Sequence, residues 1–140
     1  MVYINIGTNL GDRRANLDNA LKGLARHFRI AAVSDIFESE PWGFSSPHGF
    51  LNICAAFDAE GLTPLQVLAI TQAVEREISP LSHRNPDGSY RDRLIDIDLV
   101  VIDGVEMSAP QLTLPHPHLH DRDFFLTPYC EVRALIEGPR

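Results

Sequence analysis

Stretches with strand-like composition alternate along the chain with stretches of helical spacing. Residues Val2–Thr8 are mostly apolar and predict a first strand. Apolar residues between positions 17 and 28 recur at helical intervals, and Asp12 ahead of them can cap that helix. Residues 30–38 and 50–59 predict two more strands, which a loop rich in Pro, Gly and Ser separates.

The second helix has a clear start signal. Thr63 can cap it, Pro64 fits its first position, and Gln66 completes a capping box. Polar residues and turn-forming Pro and Gly then fill residues 79–92, which predicts a long loop. Loops of that length without regular structure are often functional.

The last third of the chain predicts one more strand, a short extended piece and a helix. Residues 93–102 end in an apolar run, residues 112–114 are extended, and residues 121–134 predict a short helix broken at Pro128. The order β-α-β-β-α-β is typical of the ferredoxin-like class. We therefore expect an α+β fold, a two-layer sandwich whose mixed or antiparallel sheet has helices packed on one face.

Length and composition favour one globular domain spanning residues 1–140. The chain has 140 residues, of which 44% are hydrophobic and 22% charged, close to the globular average. Its apolar runs are far shorter than the roughly 20 residues that span a bilayer. The sequence opens without a basic segment typical of a signal peptide. A cytoplasmic protein without a membrane partner is expected.

Charge and cysteine content exclude further classes. The formal charge is −7, with 12 basic and 19 acidic residues, so nucleic acid is not an expected partner. Eleven of the basic residues are Arg, the residue suited to bidentate contacts with phosphate, although genome composition can produce the same bias. Cys54 and Cys130 stand alone, so neither a zinc site nor a disulfide framework is expected. Both are interpreted as buried thiols.

The sharpest chemical signal is Asp96-Ile97-Asp98 inside a predicted strand. Side chains alternate across a strand, so Asp96 and Asp98 point to the same side. Paired carboxylates repel unless a cation lies between them, and hard oxygen ligands suit Mg²⁺. The alternative is an exposed face of an edge strand. The apolar run that follows Asp98 instead indicates a buried strand, where two acids need a reason.

A histidine between two prolines is the second signal. His116 lies between Pro115 and Pro117, so its backbone is stiff, and its ring could donate to a phosphate oxygen. A surface turn histidine is the alternative. A metal cluster with His118 and His120 is a further option, weakened because no acidic or thiol ligand frames the three histidines.

Basic residues in and beyond the long loop form the third signal. They are His83, Arg84, Arg91 and Arg93, with Arg122 further on. Arginines that close over a triphosphate would neutralise charge as it develops. An ordinary solvated loop is the competing interpretation.

The fourth signal combines an amide with aromatic rings. Asn52 carries both donors and an acceptor and could read the edge of a flat heterocycle, on which Phe50, Trp42 or Phe124 could stack. Core packing is the alternative for each ring. The glycine-containing stretch at residues 7–11 lacks the spacing of a nucleotide fingerprint and is interpreted as a turn.

Five motifs in sequence order give the chain a family resemblance. Ile6-Gly7-Thr8-Asn9-Leu10-Gly11 opens the set, and Leu112-Thr113-Leu114-Pro115-His116-Pro117 closes it. Between them stand residues 37–43, 50–52 and 93–99. The chain resembles the bacterial 6-hydroxymethyl-7,8-dihydropterin pyrophosphokinase family over nearly its whole length.

The resemblance implies ATP-dependent transfer of pyrophosphate to the pterin hydroxymethyl group, releasing AMP, in folate biosynthesis. It implies two Mg²⁺ ions on Asp96 and Asp98, and ATP as co-substrate. A monomer or weak homo-oligomer is expected. The implied catalytic residues are Arg93, Asp96, Asp98 and His116. The implied pterin contacts are Ser39, Glu40, Trp42, Phe50, Asn52 and Phe124. The implied ATP contacts are Gln72, Glu75, Arg84, Arg93, Leu99, Thr113, His116 and Arg122.

One departure from the family pattern leaves other functions open. Many members carry two arginines just after the second helix, where this chain has Ser79-Pro80-Leu81-Ser82. The second hypothesis is therefore a catalytically weak relative that binds pterin or nucleotide. A third, a metal-dependent phosphohydrolase or nucleotidyltransferase, would explain the paired acids but not Asn52 and the aromatic residues.

Overall fold

The structure is a computed structural model that describes residues 1–39, 49–79 and 94–138. Within these residues lie three helices: α1 (Arg13–Ala25), α2 (Pro64–Ile78) and α3 (Asp123–Glu137). They also contain seven strands: β1 (Val2–Thr8), β2 (Arg29–Val33), β3 (Phe37–Ser39), β4 (Phe50–Asp58), β5 (Asp96–Ile102), β6 (Met107–Ser108) and β7 (Thr113–Leu114).

Five of the described strands form one antiparallel sheet. Its order is β2-β4-β1-β5, and β3 pairs with β4 beside β2. Strand β1 therefore lies between β4 and β5, and β5 lies at the edge. Strands β6 and β7 form a separate two-stranded ribbon. The expected α+β class and the antiparallel option for the sheet are confirmed.

The two faces of the sheet are both covered by helices. Ile4 and Ile6 of β1 pack into a core with residues of α1 and α2. Tyr3, on the opposite face of the same strand, packs with Val132 of α3. The expectation that helices pack on one face only is therefore wrong. Side chains on both faces of β1 and β4 are buried, so each face has its own cover.

Both predicted helix starts are confirmed. The side chain of Asp12 accepts a hydrogen bond from Ala15 N at 3.1 Å at the start of α1. Thr63 and Gln66 exchange the two hydrogen bonds of a capping box at the start of α2, with Thr63 N donating to Gln66 Oε1 at 2.8 Å.

The strand predicted at residues 30–38 is divided into β2 and β3. Ser34 interrupts it, and the Ser34 hydroxyl accepts a hydrogen bond from Cys54 N at 2.9 Å. The serine side chain thus takes the place of a backbone partner opposite β4, which lets the chain bend between the two short strands.

Helix α3 is continuous through Pro128, so the predicted break there is wrong. A proline inside a helix removes one backbone donor, and here the orphaned acceptor is the carbonyl of Phe124. The Asn5 side chain supplies a substitute, because its Nδ2 donates to Phe124 O at 2.8 Å. A tertiary contact therefore offsets the local helix-breaking preference of proline.

Two smaller findings complete the fold. Cys54 is buried, as expected, but Cys130 is exposed, because it lies on the outer side of α3. None of the three described helices is long and apolar enough to cross a bilayer.

Candidate active site

Polar residues occupy two adjacent rows that run across the middle of the sheet. In the first row, Gly7 of β1 lies opposite Asn52 of β4 on one side and Asp96 of β5 on the other. In the second row, Asn5 lies opposite Cys54 and Asp98 in the same way. Directly paired residues point to the same face of a sheet. The amide of Asn52 and both carboxylates therefore lie on the face that α3 covers.

Gly7 leaves the centre of the first row without a side chain. A Cβ atom added there would lie 2.7 Å from Asn52 Oδ1 and 3.7 Å from Phe50 Cδ1. The first distance is shorter than any ordinary contact, so the position of the Asn52 amide depends on glycine at this place. Strand β1 lies between Asn52 and Asp96, and the usual spacing of strands places these two residues about 10 Å apart. No side chain fills the space between them, because the residue of β1 in this row is Gly7.

Asn52 is held by a second contact on β3. Its Nδ2 donates to the hydroxyl of Ser39 at 3.1 Å, and the Asn52 side chain is buried. Phe50 begins β4 and is half-buried. Buried amides need such partners, since an unsatisfied one costs about 1–3 kcal/mol. The Ser39 hydroxyl and Gly7 together fix the direction in which the remaining Asn52 groups point.

A cleft of about 380 Å³ lies at the edge of β5. Seven of the residues predicted as site residues line it: Gln72, Glu75, Asp96, Asp98, Leu99, Thr113 and His116. Leu68, Pro110 and Gln111, which sequence reasoning did not select, also line it. The cleft therefore collects residues of α2, β5 and β7 that lie far apart in sequence.

Glu75 ties helix α2 to the edge of the sheet. Its Oε1 accepts a hydrogen bond from Ile97 N at 2.8 Å. None of the described strands pairs with β5 on that side, so its backbone donors there need other partners. The contact also keeps the Ile97 peptide between the two carboxylates in a fixed orientation.

His116 is fixed by its backbone and by its ring. Its N–H donates to Val100 O at 2.8 Å, and its Nδ1 accepts from His118 N at 3.0 Å. Burial, together with the nearby Arg122 and His118, lowers the pKa of His116 to about 4, while Asp96 and Asp121 act in the opposite direction. The ring is therefore neutral at pH 7. Since Nδ1 accepts, Nε2 carries the proton and can donate.

The start of α3 brings an aromatic pair and a cation together. The rings of Phe124 and Phe125 meet edge to face, with centroids 4.9 Å apart. The guanidinium carbon of Arg122 lies 5.8 Å from the Phe124 centroid and 5.4 Å from that of Phe125. The Phe125 ring also meets the His116 ring edge to face, with the two centroids 4.6 Å apart. The first turn of α3 thus adjoins the histidine that lines the cleft.

The paired carboxylates suit a hard divalent cation. Asp96 and Asp98 are half-buried, line the cleft and offer oxygen ligands, which Mg²⁺ prefers. Across residues 1–39, 49–79 and 94–138, no group of three or more His, Cys, Asp or Glu residues could hold a metal ion. Two carboxylates would leave most coordination positions to water and phosphate oxygens, as is usual for Mg²⁺ at phosphate sites.

Some predicted site residues lie outside the described residues. They are Glu40, Trp42, Arg84 and Arg93, together with His83, Arg91 and residues 80–82. Conversely, sequence reasoning assigned no role to Asn5 or Gly7. A signal for Asn5 existed, because it is a polar side chain between the apolar Ile4 and Ile6 of β1.

The chain is similar to one family of known proteins over nearly its whole length. The family described as 7,8-dihydro-6-hydroxymethylpterin-pyrophosphokinase (HPPK) matches residues 3–134. A 2-amino-4-hydroxy-6-hydroxymethyldihydropteridine pyrophosphokinase of Porphyromonas gingivalis is 44% identical over 138 residues, covering 97% of this chain and 92% of the relative. The protein of the same name from Bacillus subtilis is 30% identical over 139 residues, with 98% and 80% covered. Folic acid synthesis protein FOL1 of Dictyostelium discoideum is 31% identical over 141 residues, covering 99% of this chain and 20% of the relative.

Proposed function

Because the chain belongs to the 7,8-dihydro-6-hydroxymethylpterin-pyrophosphokinase family, we propose that it transfers pyrophosphate from ATP to 6-hydroxymethyl-7,8-dihydropterin. AMP is the second product, and the step serves folate biosynthesis. The observation that carries the proposal is the placement of Asn52, Asp96 and Asp98 on one face of the sheet, beside the cleft at β5. Strand spacing thereby holds Asn52, which would bind the pterin, about 10 Å from Asp96, which would lie beside the phosphates.

The pterin occupies the region around Asn52. The Asn52 amide reads the edge of the ring, which needs both a donor and an acceptor. Phe124 stacks on the plane of the ring. The proposed neighbours also include Ser39, which is bonded to Asn52, and Phe50. Glu40 and Trp42 keep their predicted roles at the pterin edge.

ATP occupies the cleft at the edge of β5. The proposed nucleotide contacts in the cleft are Gln72, Glu75, Leu99 and Thr113. The Nε2–H of His116 donates to a phosphate oxygen, which the neutral ring and its fixed Nδ1 support. Arg122, and Arg84 and Arg93 outside the described residues, supply positive charge toward the phosphates.

Asp96 and Asp98 would hold two Mg²⁺ ions in the proposed complex. The carboxylate pair fits such ions in ligand type and in its position at the cleft. When bound, the metals neutralise phosphate charge and lower the pKa of the substrate hydroxyl. The rest of the proposal concerns the residues of the chain, which bind, align and exclude water.

The transfer itself needs no nucleophilic side chain. The pterin hydroxymethyl oxygen forms a bond to the β-phosphorus, and the bond between that phosphorus and the oxygen shared with the α-phosphate breaks. AMP leaves with that oxygen, and the hydroxyl proton is released. Catalysis of this kind depends on alignment and on charge stabilisation. In the described residues, Asn52 and Phe124 would align the acceptor, while His116 and Arg122 would stabilise the phosphates.

The finer fold assignment is part of the proposal. We propose the ferredoxin-like arrangement for β1, α1, β2 with β3, β4, α2 and β5, supported by the order β2-β4-β1-β5. Helix α3 is then an addition that covers the second face. The single domain, the cytoplasmic location and the monomeric or weakly oligomeric state stay predictions from the sequence.

Product analysis tests the proposed function. Purified protein is mixed with ATP, Mg²⁺ and 6-hydroxymethyl-7,8-dihydropterin, and the nucleotides are separated by HPLC. AMP formed in equal amount with the pterin pyrophosphate is the expected result. ADP would contradict the proposal and indicate single phosphoryl transfer. Pterin binding without any turnover would favour the catalytically weak relative.

A further inference from the structure

The carbonyl of Phe124 lacks the donor that a regular helix would give it. The residue four positions later is Pro128, whose ring nitrogen carries no proton. The Asn5 side chain occupies the vacant direction, since its Nδ2 lies 2.8 Å from Phe124 O. Asn5 is only 2% exposed, so water does not readily replace the amide.

Asn5 stands at a position that connects two parts of the proposed site. It lies opposite Asp98 in the ladder between β1 and β5, and both point to the face beneath α3. The same side chain is bonded to the first turn of α3, which carries Phe124. One residue therefore joins the backbone of the proposed stacking ring to the sheet position beside a proposed metal ligand.

The start of α3 has no side-chain cap of its own. Arg122 stands at the N-cap, and its side chain makes no capping hydrogen bond to the described first turn. Helix starts held by Ser, Thr, Asp or Asn have their own anchor, as α1 and α2 do. In α3, a hydrogen bond to the first turn comes instead from the Asn5 amide on the central strand of the sheet.

We propose that Asn5 is a positioning residue, which acts through the Phe124 carbonyl to set the distance between the stacking ring and Asp98. This inference rests on the proposed function, since the ring is taken to stack on the pterin. A purely structural hydrogen bond would stabilise the fold without favouring one substrate. A positioning bond should affect pterin binding more than nucleotide binding.

The first variant is Asn5→Leu, which keeps the branching of the side chain at Cγ and removes the donor. Calorimetric titration gives the Kd for the pterin in the presence of Mg²⁺ and a non-hydrolysable ATP analogue, and the Kd for the analogue alone. We expect the pterin Kd to rise about tenfold, the effect of one lost hydrogen bond. The analogue Kd should change by less than about twofold. Asn5→Ala carries the same prediction should the leucine variant fold poorly.

Pro128→Ala separates positioning from simple satisfaction of the carbonyl. It restores a backbone N–H four residues after Phe124, which can donate to the orphaned carbonyl in the ordinary helical way but does not tie α3 to β1. In that background, Asn5→Leu should still raise the pterin Kd about tenfold. Thr71→Val is the matched control, because it removes a buried hydroxyl that donates to Leu68 O at 2.9 Å. It should lower the free energy of unfolding and leave the pterin Kd unchanged.

The outcomes separate this inference from the proposed function. If the unaltered protein binds no pterin, both fall together. If it binds pterin and Asn5→Leu binds equally well, only the positioning role is overturned. Equal losses for pterin and nucleotide would reduce Asn5 to a structural residue. A loss that disappears in the Pro128→Ala background would mean that Asn5 only satisfies the Phe124 carbonyl and does not set the position of the ring.

Discussion

Gly7 and Asn52 face each other across the ladder between β1 and β4, and a Cβ atom at Gly7 would lie 2.7 Å from Asn52 Oδ1. The amide therefore keeps its orientation because its neighbour has no side chain. Gly7 lies within strand β1 and does not have a positive φ angle, so other residues could adopt its backbone conformation. The requirement for glycine is one of space and not of backbone geometry.

Gly7→Ala should therefore impair the pterin side of the site selectively. The added methyl must displace the Asn52 amide, and we expect the KM for the pterin to rise about tenfold or more, equivalent to about 1.4 kcal/mol. The KM for ATP should change by less than about twofold. Steady-state kinetics with each substrate varied in turn provide the measurement.

Gly23→Ala is the matched control for that variant. Its Cβ would lie 2.8 Å from Val74 Cγ1, a similarly close contact, but in the packing between α1 and α2. It should lower the free energy of unfolding without changing the ratio of the two KM values. The role assigned to Gly7 would be refuted by a proportional rise of both KM values in Gly7→Ala.

Asp96→Asn and Asp98→Asn test the carboxylate pair. Each substitution keeps the shape of the side chain and removes its charge, so we expect a loss of about a hundredfold or more in kcat. AMP release followed by HPLC at saturating substrate gives kcat. Asp58→Asn, at the exposed end of β4, is the control and should retain full activity. Turnover that stays normal in either site variant would rule out the proposed metal site.

Glu75 should matter for stability as well as for nucleotide binding. Glu75→Ala removes the acceptor for Ile97 N, and we expect the free energy of unfolding to fall by about 1–3 kcal/mol. Glu75→Gln keeps an oxygen in place and should cost less. Urea denaturation measures both variants.

Glu77→Ala serves as the comparison for Glu75. Its carboxylate is exposed and lies 3.8 Å from Arg26, an ion pair of the surface type. Such pairs contribute about 0–1 kcal/mol, so its stability should remain near that of the unaltered protein. Equal effects of Glu75→Ala and Glu77→Ala would argue against a special role for the Ile97 contact.

The depressed pKa of His116 predicts a pH dependence of stability. Its folded pKa is about 4, below its ordinary value of 6.5. Between these values the unfolded chain binds a proton that the native protein does not bind, so the free energy of unfolding falls as the pH drops from about 6.5 to about 4. His116→Gln should flatten this part of the profile, measured by urea denaturation at several pH values without metal.

A second histidine variant controls for the general effect of acid. His27→Gln removes an exposed ring in the turn after α1 and should leave the slope as it was. The burial explanation for His116 fails if both variants flatten the profile to the same extent.

The sequence predicted the regular elements wherever local signals and tertiary packing agree. The capping box at Thr63 and the apolar run of β1 are examples, and both are confirmed. The break predicted at Pro128 was wrong because the local rule for proline does not include an amide supplied from residue 5. The second helical layer was missed because nothing in a single apolar strand tells how many helices will cover it.

In the candidate site too, residues marked by a local sequence pattern were predicted, and a residue that depends on a distant contact was not. The spacing of Asp96 and Asp98 predicted a shared direction on a strand, and the structure places both at one cleft. Gly7 was interpreted as part of a turn, because its importance lies in a contact with β4, 45 residues further along the chain. The catalytic and binding roles of the individual residues stay predictions until the variants are measured.

The contact between Asn5 and Phe124 joins positions separated by 119 residues. Among the described strands, β1 pairs with β4 and β5, which both follow it at a distance. On a ribosome, β1 therefore emerges before both of these partner strands, and the face of β1 that α3 covers must wait for more than a hundred further residues to be synthesised. Appearance of pterin binding during synthesis would thus report that folding has reached α3, the final described element to join the sheet.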